Sequence, residues 1–407
     1  MTLAYLTSEY PAVSHTFILR EVAELRSQGR DVTTFSLRRT GSEHRKGAAE
    51  AEEARRTIYL LEHALNPLTA LAAQARALRR PGRWLSMVRL AMRTSAPGLR
   101  AAVRQVAYVL EAGILAREME TRGITHLHNH FANASCSVAM LASELTGIPY
   151  SLTLHGPATF FDPHRLALGE KIARARFVAC ISHFARSQGM IFADPAHWER
   201  MHIVHCGVDP ARYGASPDRG EAGSEIVFVG RLAAVKGVLV LLEAVAQLAN
   251  AYPQARVTLI GDGPERARIE ARVAALGLGD RVTFTGYLTQ TEVAARLASA
   301  SIFALPSFAE GVPVVLMEAM AAELPVVATR IAGIGELVTD GEAGLLVPPG
   351  DVKSFSAAIE TLLADPKQRI AMGRAGRAAV VASYDIAQEA ARLGQLFDGT
   401  PDTDSTP

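Results

Sequence analysis

Residues Ser307 to Thr329 read SFAEGVPVVLMEAMAAELPVVAT, and their order sets the fold class. The apolar run just before, Ser301 to Leu305, has the length of a buried strand, and Leu324 to Ala328 is a second. Between them the Gly311-Val312-Pro313 turn opens a segment that reads as a helix, giving the order strand, loop, helix, strand. In an open parallel sheet such a loop lies outside the carboxyl ends of the strands, where ligands bind. Pro313 suits a first helical position, so the amides of Val314, Val315 and Leu316 are expected to point unpaired into that crevice and to attract phosphate. Glu310, beside Gly311, is repelled by phosphate and suits hydroxyls attached to it; Glu318, in the first turns of the helix, suits a second polyol. Two polyols joined through phosphate describe a nucleotide-sugar.

The rest of the second half follows the same plan. Glu225 to Val229 reads as a strand, Gly230-Arg231-Leu232 turns out of it, and Lys236-Gly237 precedes a helix from Val238 to Ala249. Two cations and free amides on one loop between a strand end and a helix start can hold a diphosphate. Val257 to Ile260 is a further strand, followed by Gly261-Asp262-Gly263-Pro264, which lacks the spacing of the dinucleotide fingerprint and so gives no support to a nicotinamide or flavin site. Val282 to Thr285 and Gly286-Tyr287-Leu288 make the next strand and turn, Gly341 to Pro349 a turn and short strand, and Asp351 onward two or three helices. Residues 399–407, rich in Asp, Thr, Pro and Ser, are expected to be disordered. Asp402-Thr403-Asp404 spells an Asp-x-Asp, but in a tail with no strand beside it this reads as coincidence.

The first half alternates strand-like segments (Leu3 to Thr7, Val32 to Leu37, Tyr150 to Leu154, Phe177 to Ser182, His202 to Cys206) with helical ones such as Thr16 to Gly29. That is the pattern of an α/β domain with a parallel sheet. Ser14, His15 and Thr16 stand at the start of the first helix, where helix capping and ligand contact are both open readings. His126, His128 and His130 alternate in THLHNHF, which puts them on one strand face; residue type alone admits a metal site or a structural role. His155-Gly156 follows a strand end, and residues 211–224 have the Gly, Pro and Ser content of a linker.

From Ala64 to Leu110, eight arginines (Arg76, Arg79, Arg80, Arg83, Arg89, Arg93, Arg100 and Arg104) are interleaved with Leu, Met, Val and Trp84, and no acidic residue interrupts them. Such a basic amphipathic segment can lie on an anionic leaflet with Leu85, Met87, Val88 and Leu90 reaching into it; the alternative is that the apolar stripe packs inward and the arginines are solvated.

At 407 residues the chain exceeds the size at which one core keeps growing, so two domains are expected. The composition, 49% hydrophobic and 20% charged, is that of a globular enzyme, and a net charge of +1 gives no reason to expect nucleic acid as a partner. Three widely spaced cysteines, Cys136, Cys180 and Cys206, suggest neither a disulfide framework nor a thiolate metal site, which fits a cytoplasmic protein. Met1-Thr2 leads straight into LAYLT, so no signal segment or membrane span is expected at the start.

Glu310 and Glu318, with seven residues between them inside SFAEGVPVVLMEAMA, resemble the Glu-x7-Glu motif of retaining glycosyltransferases of the GT-B fold, glycosyltransferase family 4. The resemblance is strongest from Ile226 to Val347 and weaker before Tyr150, where PAVSHTFI resembles a bacterial exopolysaccharide branch, the colanic-acid-type transferases. It implies two Rossmann-like domains facing each other across a cleft: an acceptor-side domain over 1–207, a nucleotide-sugar domain over 208–384, and a helix at about 385–398 returning to the first. It implies a metal-independent hexosyltransferase using a UDP- or GDP-type sugar as donor, with no cofactor, and a lipid-linked or oligosaccharide acceptor, working in the cytoplasm or at the inner face of the plasma membrane.

Residue by residue, the resemblance assigns Arg231 and Lys236 to the diphosphate, Glu310 to the sugar hydroxyls and Glu318 to the ribose. Gly230, Gly311, Val314, Val315 and Leu316 would serve the donor through their backbone, with Tyr287 and Leu288 near the base. It places His155 against the donor sugar and makes Ser14, His15 and His130 acceptor-side candidates, with no metal. The sequence departs from the family pattern at Pro157-Ala158, where an acidic companion of the histidine usually stands, so that companion is missing unless Asp162 substitutes. It departs again in AGIGELV (332–338), where Ala332 and Gly335 replace a Gly and a Pro while Glu336 is kept. Readings outside the transferase class are a nucleotide-sugar epimerase of the same fold, or a non-catalytic nucleotide-sugar-binding protein.

Overall fold

The computed structural model describes residues 1–12, 15–44, 47–214 and 223–399. The chain divides into two compact units, 1–205 with 388–407, and 206–387. Each is built on a sheet whose strands are all parallel.

In the first unit the strands are β1 (Thr2–Glu9), β2 (Asp31–Arg38), β3 (Ile58–Tyr59), β4 (His126–His130), β5 (Tyr150–Leu154), β6 (Val178–Cys180) and β7 (Met201–Ile203), in the spatial order β3-β2-β1-β4-β5-β6-β7. The order reverses between β1 and β4, so loops leaving those neighbouring strands diverge and open a crevice at their carboxyl ends. Strand β6 stops at Cys180, short of the expected Ser182, because Ser182 caps the following helix: its Oγ accepts from Ala185 N at 3.0 Å. A core of Leu3, Ile18, Val22, Leu25 and Phe177 is completed by Leu393, Leu396 and Phe397 of the helix Ile386–Asp398.

In the second unit the strands are β8 (Glu225–Val229), β9 (Arg256–Ile260), β10 (Val282–Gly286), β11 (Ile302–Leu305), β12 (Val326–Thr329) and β13 (Gly344–Val347), ordered β10-β9-β8-β11-β12-β13. Strand β11 is buried along its whole length, as expected of a parallel strand covered on both faces. The reversal here falls between β8 and β11. The helix Val314–Ala321 after β11 buries Leu316, Met317 and Met320 completely. Side chains of this size stabilise the fold by about 1.5–3 kcal/mol each, and they fix the direction from which the helix start addresses the crevice.

The arginine-rich segment forms helices Pro67–Ala77, Pro81–Arg93 and Leu99–Thr121 of the first unit. The expected lipid-facing stripe on the middle helix is corrected for Met87 and Leu90, which are buried, whereas Leu85 is exposed and Val88 half-buried; this helix packs on Ala134–Thr146 and Leu99–Thr121. The large exposed apolar side chains lie instead mainly on its two neighbours, Leu68 and Leu71 on one, Leu99, Val103 and Val106 on the other. Among the described residues no helix is long and apolar enough to cross a membrane.

Candidate active site

The candidate residues of the second unit gather on the loops that leave the strands at their carboxyl ends. Gly230, Arg231 and Lys236 follow β8, Tyr287 and Leu288 follow β10, and Glu310 and Gly311 follow β11. The loops after β8 and β11, on either side of the reversal, are tied together: Phe308 N donates to Val235 O at 2.7 Å, and Lys236 Nζ to Glu310 Oε1 at 2.6 Å. Gly237 has φ +62, and a Cβ there would run into the Pro306 carbonyl, so only glycine lets the loops approach this closely.

Glu310 is nearly buried. Its Oε1 also accepts from Ser307 Oγ at 2.6 Å, and Ser307 is held in turn by Thr329 Oγ1 donating to its carbonyl at 2.6 Å. A buried carboxylate needs such partners. Both bonds fall on Oε1, leaving Oε2 to meet hydroxyls of a ligand. Glu318 is also buried and accepts from Tyr213 OH at 3.1 Å. Arg231 is exposed and has no ion-pair partner among the described residues, so its charge is available to an anion. The loops after β8, β9 and β10 are stitched by Gly230 N to Ile260 O at 2.9 Å, Leu232 N to Asp262 O at 2.9 Å and Tyr287 OH to Asp262 O at 3.2 Å.

One expectation at the helix start is corrected. Pro313 stands one residue outside the helix with an extended ψ of 119°, and its carbonyl accepts from Leu316 N at 3.0 Å. The Leu316 amide is therefore engaged. Val314 and Val315 are the first helical residues, with no side chain capping them. The 332–338 segment joins the site by its backbone, Gly333 N donating to Gly311 O at 3.1 Å.

In the first unit, His15, His130 and His155 converge at the carboxyl ends of β1, β4 and β5. His130 Nδ1 lies 2.8 Å from His155 Nε2, and Phe131 packs on both His15 and His155, with ring centroids 4.9 and 4.6 Å apart. Ser14 lies outside the described residues. Glu21, on the buried face of helix Thr16–Ser27, sits 3.2 Å from His130 Nε2 and accepts from Tyr5 OH at 2.8 Å. His130 therefore lies between the Glu21 carboxylate and His155, with Nε2 facing the one and Nδ1 the other. Burial pushes the His155 imidazole well below its ordinary range, with His130 and His15 adding to the effect, so His155 is neutral at physiological pH.

Asp162 does not replace the missing acidic companion. It is solvent-exposed and 3.5 Å from Arg165, because the short helix 158–161 ends before it and turns it to the surface. The carboxylate that reaches the histidines is Glu21. Its place three residues after Ile18 and four before Leu25, on the apolar side of the helix, was a signal the sequence offered.

The alternating histidines of β4 do share a face. His126 Nε2 and His128 Nδ1 contact Ser151 Oγ at 2.7 and 2.8 Å, and His128 Nε2 meets Thr153 Oγ1 at 2.9 Å. Ligand atoms of Glu21, His128 and His130 lie within 4.8 Å of one another, the one such grouping among the described residues. Both ring nitrogens of His128 are committed to hydroxyls, so the arrangement reads as a hydrogen-bond network rather than a ligand set.

Residues 215–379 match the family model described as glycosyl transferases group 1. The chain is 33% identical over 259 residues to the 2-deoxystreptamine glucosyltransferase of Streptomyces kanamyceticus, covering 58% of this chain and 67% of that one. It is 26% identical over 372 residues to the putative colanic acid biosynthesis glycosyltransferase WcaL of Escherichia coli K12, covering 88% and 89%. Its fold matches the sucrose-phosphate synthase of Thermosynechococcus elongatus with a TM-score of 0.77 at 22% identity, over 98% of this chain and 99% of that one. The fold is thus that of the GT-B glycosyltransferases, and the chain belongs to the group 1 glycosyl transferases. It is a glycosyltransferase, and the epimerase and non-catalytic readings are not favoured.

Proposed function

We propose that the enzyme moves a hexose from a UDP- or GDP-type sugar to a hydroxyl of a lipid-linked or oligosaccharide acceptor in surface polysaccharide synthesis, with retention at the anomeric carbon. The carrying observation is the gathering of Arg231, Lys236 and Glu310 around the reversal between β8 and β11. Breaking the sugar–phosphate bond loads negative charge on the diphosphate. Arg231, Lys236 and the amides of Val314 and Val315 supply fixed positive charge to meet it, so the step asks for no metal. Lys236 has three donors: one holds Glu310 and the others remain for phosphate oxygens. Glu310 then orients the sugar through its hydroxyls, Glu318 the ribose, and Tyr287 and Leu288 the base. His155, neutral and oriented by His130 and Glu21, serves the transferred sugar, and His15 and His130 the acceptor side.

The name of the colanic acid relative supports the polysaccharide setting. A lipid-linked acceptor would bring the enzyme to the anionic inner face of the plasma membrane, through residues 64–110. The test supplies UDP- and GDP-hexoses with a polyprenyl-diphosphate sugar, with chelator present, and reads the product anomer by NMR. Transfer with the donor's anomeric configuration is expected. An inverted product, or transfer abolished by chelator, would contradict the proposal.

A further inference from the structure

We infer that the first unit docks on an anionic lipid surface through the exposed faces of helices Pro67–Ala77 and Leu99–Thr121, not through the helix between them. Leu99, Val103, Val106 and Leu110 follow one another at spacings of four, three and four residues, which places them on a single stripe of their helix. They are 81%, 62%, 59% and 38% exposed. The opposite face of the same helix is buried through Gln105, Ala112, Leu115 and Met119, so its orientation is fixed and the stripe is held outward. The neighbouring helix, joined to it where Gln74 Nε2 donates to Leu110 O, exposes Leu68 and Leu71 at 77% and 68%, with Leu65 just before it at 74%. Isolated exposed leucines need no explanation; two rows on packed neighbours do.

Charge selects the occupant. Residues 63–110 contain eight arginines and no carboxylate. Arg76 and Arg80 are paired with Glu120 and Arg93 with Glu170, whereas Arg79, Arg89, Arg100 and Arg104 have no carboxylate partner among the described residues. Arg100 and Arg104 flank the apolar stripe on its own helix. A second copy of this face would bring arginine against arginine, while an anionic leaflet offers hydrocarbon to the stripe and phosphates to its flank.

The inference deepens the membrane setting proposed above but does not depend on the transfer chemistry. The test measures flotation of the full chain with vesicles of phosphatidylcholine, with and without phosphatidylglycerol, alongside transfer to a soluble acceptor. Binding is expected only with phosphatidylglycerol. The triple variant Leu99→Gln, Val103→Gln, Val106→Gln should abolish it, and Arg100→Ala or Arg104→Ala should weaken it about fivefold each, with soluble transfer unchanged. Equal binding to neutral vesicles, or no binding at all while soluble transfer proceeds, overturns the inference. So does a self-association in sedimentation that the triple variant dissolves in the absence of vesicle binding.

Discussion

The ammonium of Lys236 lies 2.6 Å from Oε1 of Glu310 and joins the loops on either side of the strand reversal in the second unit. The side chains are 21% and 10% exposed, so the pair is only partly screened by water. Lys236→Ala should lower turnover at least ~10²-fold. If the pair acts as one unit, Lys236→Ala and Glu310→Gln together should cost little more than the worse of the two alone. A double-mutant cycle in kcat/KM with additive losses would show the residues acting separately.

Arg231 tests charge without stability. It is exposed and outside any ion pair among the described residues, so Arg231→Ala should change the urea midpoint by no more than about 0.5 kcal/mol equivalent. The same change should reduce kcat at least ~10²-fold if the guanidinium meets the leaving diphosphate. A variant that is fully active, or one that is inactive because it is unfolded, removes the assignment.

Gly261 sets the spacing between the loops after β8 and β9. Its φ is +127, and a Cβ there would strike the Gly230 carbonyl. Gly261→Ala should cost about 1–3 kcal/mol through strain and weaken donor binding, because Gly230 and Arg231 must shift. Unchanged thermal stability would show that the loops have room the packing does not suggest.

Buried histidines give the first unit a pH dependence of known sign. Burial lowers His15 to about 4 and His126 to about 3, and takes His128 and His155 well below the ordinary range. The unfolded chain therefore binds more protons than the folded one below the ordinary histidine value of 6.5, and stability falls as pH drops from there toward the folded values. Each histidine contributes about 1.4 kcal/mol per pH unit in that window. Glu111, which burial raises from 4.5 to about 7, works in the opposite sense between those values and offsets one histidine. Urea unfolding should show lower stability near pH 5.5 than at neutrality; a flat profile would mean that water reaches these rings.

The parallel α/β plan was legible because its strands are short apolar runs ending in Gly or Pro turns, as at Arg256–Ile260 and Ile302–Leu305. The loop residues Arg231, Lys236 and Glu310 were legible for the same reason, since strand ends fix where loops emerge. What the sequence hid depends on packing between distant segments. Glu21 reaches His130 only because helix Thr16–Ser27 lies against β4; its place on the apolar side of the helix marked it as buried, but nothing local named a partner more than a hundred residues away. Met87 and Leu90 looked like a membrane face because the arginines beside them have the right period, yet the helix Ala134–Thr146 covers them. The Leu316 amide looked open until the backbone at Pro313 proved extended.

The most direct measurement of the central claim is thermal unfolding of the wild type, Arg231→Ala and Lys236→Ala with UDP or GDP added in excess. Occupancy at 100 times Kd should stabilise the wild type by about 2.7 kcal/mol, and each substitution should remove most of that shift without altering the unliganded transition of Arg231→Ala. No shift with either nucleotide, or an equal shift in all three proteins, would contradict a diphosphate site built on these two cations.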